Sequence, residues 1–101
     1  MAGLMRQTTH VLWNATSVVA GGSTITVDTR RIQFIGVFVR SSAPTTINLE
    51  IQTISGWARF DSITFTVAGD QWWNIWAFPF SNIRFTSSAA AIITLEVSIK
   101  T

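Results

Sequence analysis

Five tryptophans are the residues best placed to do chemistry: Trp13, Trp57, Trp72, Trp73 and Trp76. Three of them fall within five positions. An indole stacks on sugar rings and fills apolar interfaces equally well. Acid–base work needs at least two positioned ionisable groups. The acids are Asp28, Glu50, Asp61, Asp70 and Glu96, and His10 is the single histidine. Glu50 and Glu96 alternate with apolar neighbours, as outward strand residues do. Asp28, Asp61 and Asp70 fall in turn-like segments, where Asp accepts backbone hydrogen bonds. No nucleophile-elbow spacing is present. Ala20-Gly21-Gly22-Ser23 lacks the lysine and following helix of a phosphate loop. Cysteine is absent, which removes disulfides, thiolate metal sites and a cysteine nucleophile. The sequence therefore predicts no catalytic site, no metal and no cofactor.

Charge narrows the partners. Charged residues make up 12% of the 101 residues against 48% hydrophobic, and the formal net charge is +2. Soluble domains typically carry about 25% charged residues, so part of this surface is expected to be covered. The cations Arg6, Arg30, Arg31, Arg40, Arg59, Arg84 and Lys100 are scattered. A nucleic-acid surface would show a denser basic stripe, and single-strand stacking would want cations among Trp72–Trp76. No run reaches the length of a membrane span. Met1–His10 has no apolar signal-peptide core. Neither nucleic acid nor membrane is expected as a partner.

The elements that must hold these residues read as strands. Period-two alternation recurs at short intervals, broken by Gly, Ser, Asp and Pro. Thr24–Val27, Thr45–Ile54, Ser62–Val67, Ser81–Thr86 and Ala91–Lys100 each alternate, Ile32–Arg40 reads as a long strand, and Gln71–Phe78 as an aromatic-rich one. A shorter apolar-leaning run covers 16–20, and Trp57–Phe60 reads as a short extension. In Thr45–Ile54, Ile47, Leu49 and Ile51 point one way and Asn48, Glu50 and Gln52 the other. The corners are Ala20–Ser23, Asp28–Arg30, Ser41–Pro44, Ser55-Gly56, Ala68–Asp70 and Ser87–Ala89, with Pro79 interrupting the aromatic segment. About eight strands at this spacing imply an all-β antiparallel sandwich; their number suits an eight-stranded jelly roll, and an immunoglobulin-like sandwich of seven to nine strands fits the same count. Residues 1–12 read as an N-terminal arm and 13–101 as one sandwich domain.

Two strands have no polar face. Ile32–Arg40 carries Ile32, Phe34 and Phe38 on one side and Ile35, Val37 and Val39 on the other. Gln71–Phe78 carries Trp72, Trp76 and Phe78 against Trp73, Ile75 and Ala77. One side of each fills the core, and the other needs a loop, an arm or a partner. A buried aromatic hides about 150–250 Å², worth roughly 4–6 kcal/mol per ring as an upper bound. Few loops are to spare, so a subunit interface is expected. Its candidates are Ile35, Val37, Val39, Trp72, Trp73 and Trp76. The rival expectation is a glycan-binding platform of exposed tryptophans.

The order of features resembles small β-sandwich proteins of tailed-phage virions. Val19–Thr24 supplies a paired-glycine turn before a Thr/Ile/Val strand. Ile32–Arg40 supplies an I-x-F-x-x-V-F-V-R strand, and Phe78–Phe85 an aromatic-Pro segment running into I-R-F. The likeness spans residues 16–101. It implies a capsid decoration or head-fibre protein, a homo-oligomer and commonly a trimer. It also implies a major capsid or tail protein as partner, and location in the virion after assembly in the host cytoplasm. No ligand-binding residue transfers from it.

Overall fold

The computed structural model describes residues 7–28, 34–76 and 82–100. Eight strands run β1 (Gln7–Val18), β2 (Val27–Asp28), β3 (Phe34–Ser41), β4 (Thr45–Thr53), β5 (Gly56–Phe65), β6 (Gly69–Trp76), β7 (Asn82–Ser87) and β8 (Ala91–Lys100), with no helix among the described residues. They form two four-stranded sheets, ordered β1-β8-β3-β6 and β2-β7-β4-β5. All pairings are antiparallel. Each sheet interleaves distant strands, the double Greek-key order of an eight-stranded jelly roll. The expected all-β sandwich is what the chain forms.

The core lies between the sheets and is built by strict alternation. Ile47, Leu49 and Ile51 from β4, Ile83 and Phe85 from β7, and Ile93, Leu95, Val97 and Ile99 from β8 are all buried. The paired glycines act as the sequence suggests. Gly21 has φ +80°, a conformation that an L side chain rarely adopts. A Cβ at Gly22 would sit 2.9 Å from Val18 Cγ1 and 3.0 Å from the Val19 carbonyl oxygen. Below this turn the chain runs beside β7, with Gly21 N donating to Ser87 O and Thr24 N to Phe85 O.

The structure corrects several boundaries. Residues 7–12, assigned by sequence to an arm, form the first half of β1 and pair with β8 from Gln7↔Lys100 onward. The run 16–20 is only the end of that strand. Trp57–Phe60 and Ser62–Phe65 belong to one strand, β5, in which Asp61 opposes Leu49 and Arg59 opposes Glu50. Phe60 is the extra residue of a bulge there, which switches the side-chain parity. Val67, the last residue of the run Ser62–Val67, lies beyond β5 and is exposed. The 28–30 corner beyond Asp28, Ile32, Ala77, Phe78 and the Pro79 interruption lie outside the described residues.

Candidate functional site

Ile35, Val37 and Val39 are 0%, 2% and 0% exposed. They face the second sheet, so their assignment to an interface is overturned. Register shows why: Val39 opposes Leu95 and Val37 opposes Val97, and these belong to the apolar face of β8. Trp73 follows the same parity. It packs against the core, and its ring meets Phe85 edge-on with centroids 6.1 Å apart. Trp72 turns the other way and is 69% exposed. Trp76 occupies the β6 position opposite Phe34. Of the six candidates, Trp72 is therefore the described side chain left on the surface. A platform of Trp72 and Trp73 side by side does not form.

The outward face of the β1-β8-β3-β6 sheet can be followed row by row. Val11, Glu96, Phe38 and Trp72 share one row, and Thr94, Arg40 and Asp70 the next. Thr9, Ser98, Gly36 and Asn74 form a third row. Val11 is 55% exposed and Phe38 is half-buried. The apolar band therefore crosses the sheet from one edge strand to the other, interrupted by Glu96. Gly36 keeps its row low: an added Cβ would lie 3.3 Å from Asn74 Oδ1 and 3.6 Å from the Phe34 ring.

The polar end of this face is fixed by one ion pair. Arg40 Nε donates to Asp70 Oδ1 at 2.7 Å and Nη2 to Oδ2 at 3.1 Å. This fork-on-carboxylate geometry sets orientation as well as attraction. The hydrogen bonds from Arg40 hold the Asp70 carboxyl below the usual carboxylate range; desolvation opposes them, and the Arg40 charge adds a smaller lowering effect. The same hydrogen bond raises Arg40 above its ordinary value. The Arg40 guanidinium also lies 5.6 Å from the Phe38 ring centroid, within cation–π range. Beside the pair is an open cleft of about 460 Å³, lined by Ala15, Ser42, Gly69 and Ile92 among others. Ala15 takes φ +47° at an irregularity of β1, and its N–H donates to Thr94 Oγ1 at 3.0 Å.

His10 is exposed and distant in register from the Arg40–Asp70 pair. Among the described residues no three His, Asp or Glu side chains converge as metal ligands would. Sequence reasoning missed the Arg40–Asp70 pair because it placed Asp70 in a turn. Asp70 instead lies within β6, two residues before Trp72 and on the same side.

No protein-family model matches the chain. No curated protein matches it by sequence. Solved structures do share its fold. The SPBc2 prophage-derived protein YomS superimposes with a TM-score of 0.75 at 9% identity, covering 100% of this chain and 98% of YomS. The PBSX exported protein XepA gives 0.69 at 12% identity over 91% of this chain and 36% of XepA, so the chain matches about a third of that protein. A structure of Bacillus endospore appendages, described as disulfide-linked pili, gives 0.60 at 12% identity over 99% and 91%. At these identities the shared property is the sandwich fold.

Proposed function

We propose that the chain is a non-enzymatic structural protein of a phage-like particle, of the capsid-decoration or head-fibre kind. It assembles with copies of itself through the outward face of the β1-β8-β3-β6 sheet, with threefold closure, and docks on the major capsid or tail protein. The observation that carries this reading is the apolar row of that face. Trp72 stands 69% exposed beside Phe38, with Val11 55% exposed at the far edge. A monomer that left this row wet would expose a band of the kind that marks protein contact.

The fold likeness supports the same reading. YomS is prophage-derived and matches over nearly its whole length, and the endospore appendages are pili built on a comparable sandwich. Their disulfide linkage has no counterpart here, since this chain has no cysteine. Contacts would instead depend on burial of apolar surface, with closed rotational symmetry as the ordinary outcome.

The test compares the mass in solution of wild type, Trp72→Ser and Trp73→Ser. Wild type should be oligomeric and Trp72→Ser a folded monomer, while Trp73→Ser should weaken the fold of the monomer itself. A wild type that stays monomeric at high concentration and binds no capsid or tail component sinks the reading.

A further inference from the structure

The opposite face of the sandwich has a different character. Outward positions of the β2-β7-β4-β5 sheet are Asp28 on β2, Thr46, Asn48, Glu50 and Gln52 on β4, Asn82, Arg84 and Thr86 on β7, and Trp57, Arg59, Ser62 and Thr64 on β5. Eleven of these twelve side chains are polar, and the twelfth is an indole.

They are tied to one another across the strands. Arg84 Nε donates to Glu50 Oε1 at 2.7 Å, and Asn82 Nδ2 to Gln52 Oε1 at 2.8 Å. Thr46 and Thr64 hydroxyls lie 3.2 Å apart, and Asn48 Nδ2 donates to Thr86 at 3.4 Å. The Arg84–Glu50 pair is 30% and 20% exposed, although it lies on an outer face. Arg84 is clamped by a second contact, its guanidinium carbon 4.4 Å from the centroid of the Trp57 ring. Asn48 Oδ1 is buried with no hydrogen-bond partner among the described residues. The face is thus an ordered plate of hydroxyls, amides and one clamped guanidinium, with a half-buried indole at its edge.

We propose that this plate binds a neutral polysaccharide strand. A pyranose ring presents a flat C–H face and a rim of hydroxyls. The C–H face suits the electron-rich face of Trp57 that Arg84 does not occupy. The hydroxyl rim suits side chains that both donate and accept, held in place beforehand so that little freedom is lost on binding. Other partners fit the plate less well. A protein interface wants a charge-poor apolar centre, which this plate lacks. With Arg59 and Arg84 set against Glu50 and Asp28 the plate carries no net charge, which gives a nucleic-acid backbone nothing to hold. Thr45–Thr53 is nine residues long, about 30 Å of extended strand, which accommodates several linked sugars. The site is independent of the assembly face, because the two lie on opposite sides of the sandwich.

Affinity electrophoresis through gels containing galactomannan, xylan or hydroxyethylcellulose tests this, backed by an array of bacterial surface glycans. The expected result is retardation or array binding by wild type and by Trp72→Ser. Trp57→Ala and Arg84→Ala should each weaken it at least about tenfold. If either of these fails to fold, the double variant Gln52→Ala/Asn82→Ala carries the same expectation from a milder change. No binding by wild type to any glycan overturns the proposal. So does binding that survives Trp57→Ala and the double variant, or binding lost only in Trp72→Ser. Loss of oligomerisation in Trp72→Ser with binding retained separates the fate of this site from that of the assembly face.

Discussion

Trp73 on β6 and Phe85 on β7 bridge the two sheets, their rings edge-on at 81° with centroids 6.1 Å apart. Edge-to-face contact is a favoured geometry for aromatic pairs, worth about 0.5–1.5 kcal/mol beyond the area buried. The immediate chain neighbour, Trp72, takes no part in it. Two adjacent tryptophans therefore have separate duties, one inside the monomer and one on its surface.

That separation sets the first prediction. Trp73→Ser should destabilise the protein by about 3–5 kcal/mol, the usual cost of removing a large core aromatic. Trp72→Ser should change monomer stability by no more than about 0.5 kcal/mol, as surface substitutions do. Urea denaturation at a concentration low enough to keep the protein monomeric measures both.

A buried hydroxyl cluster sets the second. Thr45 Oγ1 lies 2.7 Å from Ser87 Oγ and accepts from Ala89 N at 3.1 Å, and Ser87 Oγ donates to Ala89 O at 2.8 Å. Thr45→Val keeps the shape but leaves Ala89 N–H and Ser87 without this partner. The expected loss is about 1–3 kcal/mol, the cost of stranding buried polar groups. Thermal unfolding of the variant reads it directly.

The Arg40–Asp70 pair predicts a pH dependence. The folded protein holds the Asp70 carboxyl below its ordinary value, chiefly by the hydrogen bond from Arg40. A depressed carboxylate contributes stability above its unfolded value, near about 4, and loses that contribution as pH falls through its lower folded value. At neutral pH wild type should melt slightly above Asp70→Asn. The gap should close below about pH 4, and it should narrow in molar salt, because both groups are solvent-accessible. A gap that widens on acidification would contradict the assignment.

Ala15 gives a fourth expectation. Its φ of +47° costs a side-chain-bearing residue roughly 1 kcal/mol. Ala15→Gly should be neutral or stabilise by up to about 1 kcal/mol. The control Ala58→Gly, in the extended backbone of β5, should cost about 0.5–1 kcal/mol. Paired melting curves distinguish the two directions.

Where one face is apolar and the other polar, the strand and its inward side were legible in the residues alone. β4, β7 and β8 are of this kind, and Ile47, Leu49, Ile83, Phe85, Leu95 and Val97 lie where alternation puts them. β1 escaped because it has no such alternation. Register shifts between Val11 and Trp13 and again between Trp13 and Thr16 break its period, and among its described side chains Trp13 and Val18 are buried. β5 escaped for a related reason, since the extra residue Phe60 makes one strand look like two. In β3 and β6 both faces are apolar, so alternation could not say which lies inside. The polar face of β8 decides it, but only once β3 is known to lie beside β8. That adjacency is a property of the topology. The same holds for the plate around Trp57, whose members come from four strands and meet only in the assembled sheet.

The place of β8 between β1 and β3 also governs how the molecule comes to be folded. Gln7 finds its partner in Lys100, and Phe34 pairs with the same residue from the other side. Nothing local can close that sheet, and the whole intervening chain must first be brought round at a cost in entropy. Topologies dominated by such distant pairings fold in milliseconds to seconds, far more slowly than helical bundles of similar size. Until β8 inserts, β3 has an open edge and two apolar faces, and neighbouring nascent copies can pair with it. Refolding yield should therefore fall steeply with protein concentration. A variant that slows docking of the last strand, such as Leu95→Ala, should lose yield out of proportion to its loss of equilibrium stability.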